Sequence, residues 1–430
     1  MSTNNQNQTS SPSGADGIQM KDSGIFWIAS IPIHWRIVKL KYLVFCLDGK
    51  RVPVDASLRV TGEYPYWGAG NIVDYVNQYL FDDELVLLGE DGAPFFDKTR
   101  PVAFYSNEKI WVNNHIHVLK ARDSIDSKFL VYALNSVDYH EYIFGSILPK
   151  LTQLDMNSIT LPLPDYPSQR YIASYLDTQC NLIDQQIAAL KESIEKLEQV
   201  KISKVYQVIT KGLDASVNYT DSGIPWIGQY PVSWDLRPLK SMFAINKRIA
   251  GTLGYDVLSI TQKGIKIKDI ISNEGQQSND YSKYQIVKPG DFAMNHMDLL
   301  TGFVDLSEVE GVTSPDYRVF TPISKDIDPH YALYIFQTAY RAKIFYGLGQ
   351  GVSTLGRWRL PKEQFLNFVI PVPSLDEQGK IVRHLDSFCS SVDGLIQSYT
   401  DKLDSLMNFK VSLIYECVTG KKSVSQEVDA

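Results

Sequence analysis

Amides and guanidinium groups in loops are the side chains that read base edges, amides on adenine and arginine on guanine. Asn113, Asn114, Gln153 and Asn295 stand in segments of that kind, with Lys150, Arg357 and Arg359 as candidates for guanine or phosphate. His115 and Gln350 fall beside them. The turn Trp67-Gly-Ala-Gly70 offers Gly68 and Gly70, where a bare backbone would approach a phosphate closely. Between Lys240 and Lys268 the basic residues Lys240, Lys247, Arg248, Lys263, Lys266 and Lys268 face one acid, Asp256. Arg36, Lys39, Lys41, Lys50 and Arg51 likewise face only Asp48. Taken singly, each of these is more often a turn residue or a solvated surface group. What gives them weight is their place in a repeated chain.

Catalytic signatures are missing from the sequence. There is no Asn-Pro-Pro-Tyr element of a base methyltransferase and no Gly-x4-Gly-Lys-Ser/Thr loop. Gly347-Leu-Gly-Gln-Gly351 does not lie between a strand and the start of a helix, as a nucleotide loop would. His115 and His117 alternate on an expected strand, but no acidic or cysteine partner for a metal is visible near them. Cys46, Cys180, Cys389 and Cys417 are scattered, suggesting neither disulfides nor zinc. The net charge of −7 disfavours a generic nucleic-acid binder, so any attraction must be local. With 44% hydrophobic and 21% charged residues, a soluble globular chain of two to four domains is expected. No apolar run is long enough for a membrane span or signal peptide, so the expected compartment is the cytoplasm.

The elements that must position these residues come twice. Asp22-Ser-Gly-Ile-Phe-Trp-Ile28 returns as Asp221-Ser-Gly-Ile-Pro-Trp-Ile227, and Pro32, Trp35, Leu40 and Lys41 return as Pro231, Trp234, Leu239 and Lys240. A second block repeats at an offset of 209: Gln169, Ile172, Leu176 and Asp177 match Gln378, Ile381, Leu385 and Asp386. Each second block starts after a Pro-rich strand end, with Ser168, and Ser374 or Asp376, as expected caps. Leu176, Cys180, Ile183, Ile187, Leu190, Ile194 and Leu197 form a heptad seam. Leu385, Cys389, Val392, Ile396, Tyr399, Leu403 and Leu406 repeat it. Two such helices in one chain predict an antiparallel coiled coil. Between the blocks, strands are expected over Tyr79–Gly92, Ile110–Val112, Tyr284–Val287 and Tyr317–Phe320, and helices over Phe129–Asn135 and Tyr331–Phe336. The expected fold is α+β with an internal pseudo-two-fold repeat. Its parts are a disordered tail (1–20), a variable globular unit (21–164), a shared helix (165–212), a second variable unit (213–369), a second shared helix (370–422) and a tail (423–430).

With its Tyr64-Pro-Tyr-Trp-Gly-Ala-Gly70, Gly89-Glu-Asp-Gly92 and Trp111-Val-Asn-Asn-His115 motifs, the chain resembles the DNA-specificity subunit of type I restriction–modification systems. The Pro-rich lead-in to Asp376-Glu-Gln378 and the repeated Asp-Ser-Gly-Ile opening add to the resemblance, which covers about residues 21–420. Ser168-Gln169 stands where the family has Glu-Gln. The resemblance implies two target-recognition domains, each reading half of a bipartite site in double-stranded DNA. It also implies two methylation subunits that carry S-adenosylmethionine, a restriction subunit, and no cofactor or catalysis in this chain. Two alternatives from other classes are a two-headed binder of a non-DNA ligand and a standalone nucleic-acid enzyme.

Overall fold

The computed structural model describes residues 19–143, 149–269, 280–351 and 358–424. The chain forms two compact units, one of residues 1–191 with 400–430, the other of residues 192–399. Each therefore takes the beginning of one long helix and the end of the other, beyond the expected limits 21–164 and 213–369.

In the first unit a four-stranded antiparallel sheet runs in the order Val44–Cys46, Ile116–Ala121, Leu85–Gly89, Ala103–Ser106. Its strand Leu85–Gly89 is buried on both faces, as its unbroken apolar run requires. Side chains alternate across a strand. Val86 and Leu88 thus join Phe129, Leu130 and Ala133 of helix Ser127–Ser136 in the main core, while Leu85 and Leu87 pack with Ile110, Val112, Ile116 and Val118. That second layer is a mixed sheet of Ile72–Val76, Thr61–Trp67, Lys109–Val112 and Phe81–Asp82. The strand expected over Tyr79–Gly92 is therefore two strands, broken at Asp83-Glu84 and split between the sheets.

The second unit repeats the first sheet as Phe243–Asn246, Arg318–Pro322, Phe292–Met294 and Val304–Leu306, packed by helix Pro329–Arg341. In place of the mixed sheet stand two strand pairs, Leu258–Thr261 with Gly264–Ile267 and Gln285–Val287 with Gly311–Thr313. The frame is shared and the attachments differ.

Equivalent residues bond equivalently in the two units. Asp22 and Asp221 accept from the amides of Gly24 and Gly223, whose φ of 62° and 67° needs glycine. Buried Gln169 accepts from the Asp126 amide and donates to the Ser124 and Pro164 carbonyls. Buried Gln378 does the same with Asp328, Asp326 and Pro373. Asp126 and Asp328 cap the recognition-unit helices, so each glutamine fastens a helix start to the helix it sits on. Tyr132 donates to Asp177 at 2.8 Å, and Tyr334 to Asp386 at 2.6 Å.

The long helices are Tyr166–Lys211 and Leu375–Val418. Asp165, not Ser168, caps the first, accepting from the Ser168 amide at 3.0 Å; Ser374 caps the second. In the first unit Leu176, Cys180 and Ile183 are buried with Leu413, Cys417 and Val418 of the other helix. In the second, Leu385 and Cys389 are buried with Val205, Val208 and Ile209. Val392 is also buried, while Ile187, Leu190, Ile194, Leu197, Ile396, Leu403 and Leu406 are half-buried, as on a narrow two-helix seam. Both helices stop at glycines with positive φ, Gly212 and Gly420, which close on Trp234 and Trp35.

Candidate nucleic-acid interface

Several expected contacts hold the turns themselves. The Gly68 amide donates to the Asn71 carbonyl, and a Cβ there would meet Val73 at 2.7 Å. Gly68 is buried, so hairpin packing accounts for its glycine, which corrects the expected approach to phosphate. Gly70 is half-buried beside Pro94. Asn113 accepts from the His115 amide at 2.8 Å in a local turn, and Asn114 is exposed. Asn295 accepts from the Met297 amide through its side chain and from the Tyr340 hydroxyl through its carbonyl. Gln153 opens a short helix and donates to the Cys46 sulfur.

Around His117 the first unit gathers a charge network that the sequence did not reveal. His117, 1% exposed, faces the Asp48 carboxylate at 2.6 Å through Nδ1 and the Leu151 carbonyl at 2.9 Å through Nε2. Arg51 reaches Glu90 at 2.6 Å and Asp48 at 3.5 Å. Exposed Lys150 lies 3.2 Å from Glu90, and His115 pairs with Asp91 at 2.5 Å. Burial works against ionisation of Asp48 and Glu90. Contacts with His117 and Arg51 outweigh it and hold both carboxyls below their ordinary values. Asp48, Glu90 and His117 offer atoms within 4.8 Å of one another, the spacing of a metal site. Arg51 and Lys150 already supply cations there, so the cluster is internally neutralised. The acids were hidden because Asp48 and the Glu90-Asp91 pair lie far in sequence from His117 and from each other. Lys150 and His115, expected to face DNA, are partly committed to them.

Several cations of the second unit face outward. Lys263 stands at the tip of the hairpin Leu258–Thr261/Gly264–Ile267, Lys266 is exposed on its second strand, and Lys268 is half-buried just beyond. Lys240 and Lys247 are exposed, whereas Arg248 pairs with buried Asp291. Exposed Gln350 and Arg359 pair through their backbones and bracket a segment that includes Arg357, which lies outside the described residues. Arg318 is 5% exposed, donates to the carbonyl of Leu360, the residue after Arg359, at 3.1 Å and lies over Phe365 at 4.6 Å. Burial lowers its pKa to about 10. Burial, then the charges of Arg318 and Arg359, push His296 down to about 3. Neither residue carried a sequence signal, since a lone Arg in Tyr317-Arg-Val-Phe320 reads as any strand residue.

Among the described residues no helix is long and apolar enough to cross a membrane. The model of the type I restriction modification DNA specificity domain matches residues 32–199 and again 231–403. A putative type I restriction enzyme specificity subunit of Haemophilus influenzae is 33% identical over 149 residues, 34% of this chain and 37% of that protein. The MjaVIII specificity subunit of Methanocaldococcus jannaschii is 22% identical over 91% of this chain and 93% of its own length. A chain solved in a study of complex assembly and conformational transition of the type I R-M system shares the fold. Its TM-score is 0.63 at 14% identity, covering 91% of this chain and 99% of that one. The two matched blocks span most of the sequence and coincide with the repeated frame, and the chain belongs to the type I restriction–modification DNA specificity family.

Proposed function

We propose that this specificity subunit reads a bipartite duplex site, one half with each unit, while its two long helices set the gap between the halves. The observation that carries the reading is the contrast between a shared frame and unlike attachments. The same sheet, helix and glutamine bracket occur in both units, but they present a mixed sheet with an acid-rich network in one and a cationic hairpin in the other.

An antiparallel coiled coil is supported by two ion pairs. Asp184 and Lys410 meet at 2.7 Å in the first unit, Asp393 and Lys201 at 2.6 Å in the second. Asp184 and Asp393, like Lys201 and Lys410, are related by the offset of 209, so the same bond is made twice with the helices exchanged. That is the pattern of a two-fold, isologous contact.

In this scheme the chain supplies sequence recognition and no chemistry. Methylation subunits docked on the helices bring S-adenosylmethionine, and a restriction subunit brings cleavage, in the cytoplasm. The test is methylome sequencing of cells expressing the chain with its methylation partners, before and after residues 21–164 are exchanged for a relative's. One half of the methylated motif should change and the other should persist. A change in both halves, or no motif at all, would count against it.

A further inference from the structure

The two units can be compared at one position. In the first sheet His117 pairs across from Leu88, and in the second Arg318 pairs across from Met294. His117 donates to the Leu151 carbonyl and Arg318 to the Leu360 carbonyl. Leu151 and Leu360 differ by the repeat offset, and their amides donate to the carbonyls of Glu90 and His296. So Arg318 stands where His117 stands, His296 replaces Glu90, and Arg359 replaces Lys150.

The geometry is shared but the charge is not. In the first unit Asp48, Glu90 and Asp91 lie within ion-pair distance of Arg51 and Lys150, and Asp48 also faces His117. In the second, no carboxylate among the described residues lies within ion-pair distance of Arg318 or Arg359. Among the described residues, the buried Nη1 of Arg318 and Nδ1 of His296 have no hydrogen-bond partner. A guanidinium taken out of water without an anion is costly, and one carbonyl with one aromatic ring replaces little of its hydration. A phosphate would complete the set.

We propose that Arg318 and Arg359 form a phosphate-binding position for the DNA backbone in the second unit, at the place the first unit closes with its own carboxylates. This rests on the DNA-binding function proposed above. Arg359 is exposed and meets the phosphate; buried Arg318, bonded to the carbonyl of the next residue along, adds an unneutralised charge. The position orients the duplex and reads no base, as phosphate contacts do.

The test uses the full chain and a duplex bearing its methylated motif, titrated with salt. Each phosphate contact contributes about 0.9 to the slope of log affinity against log salt. Arg318→Met and Arg359→Gln should each flatten the slope by about that amount, with the double variant losing one contact, not two. The loss should be the same on motif and non-motif duplexes. Inorganic phosphate should raise the melting temperature of the parent chain above that in chloride of equal ionic strength, and should fail to do so for Arg359→Gln. Steep parent binding with unchanged slopes in both variants overturns the proposal while leaving the DNA reading intact. A parent chain that binds duplex without salt dependence sinks the DNA reading itself. Stabilisation by inorganic phosphate with unchanged duplex slopes identifies a free-anion site and also overturns it, as does a loss confined to one base position. An Arg318→Met chain that no longer folds makes Arg318 a structural group and overturns it too.

Discussion

Gln378 bridges three backbone groups, one buried and two part-buried, and replacing it with leucine removes all three bonds. A buried group left unpaired costs about 1–3 kcal/mol, so Gln378→Leu should cost about 2–3 kcal/mol, read as earlier unfolding of the second unit in urea. A loss under about 1 kcal/mol would mean the Asp328 cap holds without it. The same scale yields a pH effect. His296 titrates near 3 when folded, against an ordinary 6.5, so below 6.5 the unfolded chain binds a proton that the folded chain refuses. Stability should therefore fall as pH drops from 6.5 toward 3, by about 2 kcal/mol at pH 5. His296→Gln should flatten that window, which denaturation at pH 7 and pH 5 would show. Asp48 and Glu90 act at lower pH, because their depressed carboxyls lose their contribution only below their ordinary values of 3.8 and 4.5. Residue identities in the sequence pointed to polar loops but not to these roles. Asp48, Glu90 and His117 meet only after three strands pair, and a buried arginine is recognised by what surrounds it.

At the scale of elements the sequence was far more legible, because periodicity and caps are local. The Pro-rich strand ends and both long helices were marked by spacing, whereas the helices after Asp126 and Asp328 carried only a weak signal. What escaped was the break between Asp82 and Leu85, where consecutive residues leave one sheet for another, and the cap at Asp165. Both depend on partners distant in sequence or on one loop's geometry. The heptad pattern also promised a uniform seam, while burial is graded along it. Leu176 is fully buried among residues of both helices and the recognition sheet, whereas Ile194 is only half-buried. Leu176→Ala should cost about 2–4 kcal/mol and Ile194→Ala about 1 kcal/mol in urea denaturation. Equal losses would mean the seam packs more tightly at mid-helix than its exposure indicates. The Asp184–Lys410 and Asp393–Lys201 pairs are partly exposed and fix alignment more than stability.

For the whole molecule, the internal repeat announced two units, but its blocks did not announce that the chain's end completes its beginning. The Tyr415 hydroxyl donates to the Trp27 carbonyl, as Tyr206 does to Trp226, so each unit is closed by the end of a long helix. Under the proposed coiled coil, both ion pairs give the same residue sum, which sets one antiparallel register. The junctions Glu192-Ser193 and Asp401-Lys402 are related by the repeat offset of 209, so they are equivalent points of the two helices. Seven residues inserted at both points keep the apolar seam in phase, since the pattern repeats every seven. They lengthen each helix by about 10 Å at 1.5 Å per residue. With a rise of about 3.4 Å per base pair, the gap between half-sites should widen by up to roughly 3 bp, less if the helices incline to the DNA. Both half-site sequences should persist, because nothing in either recognition unit changes. The duplex turns as it lengthens, so some affinity is lost unless the DNA twists to restore alignment. Methylome sequencing with the methylation partners present reads the outcome. An active variant with its original gap would show that the helices do not set the spacing.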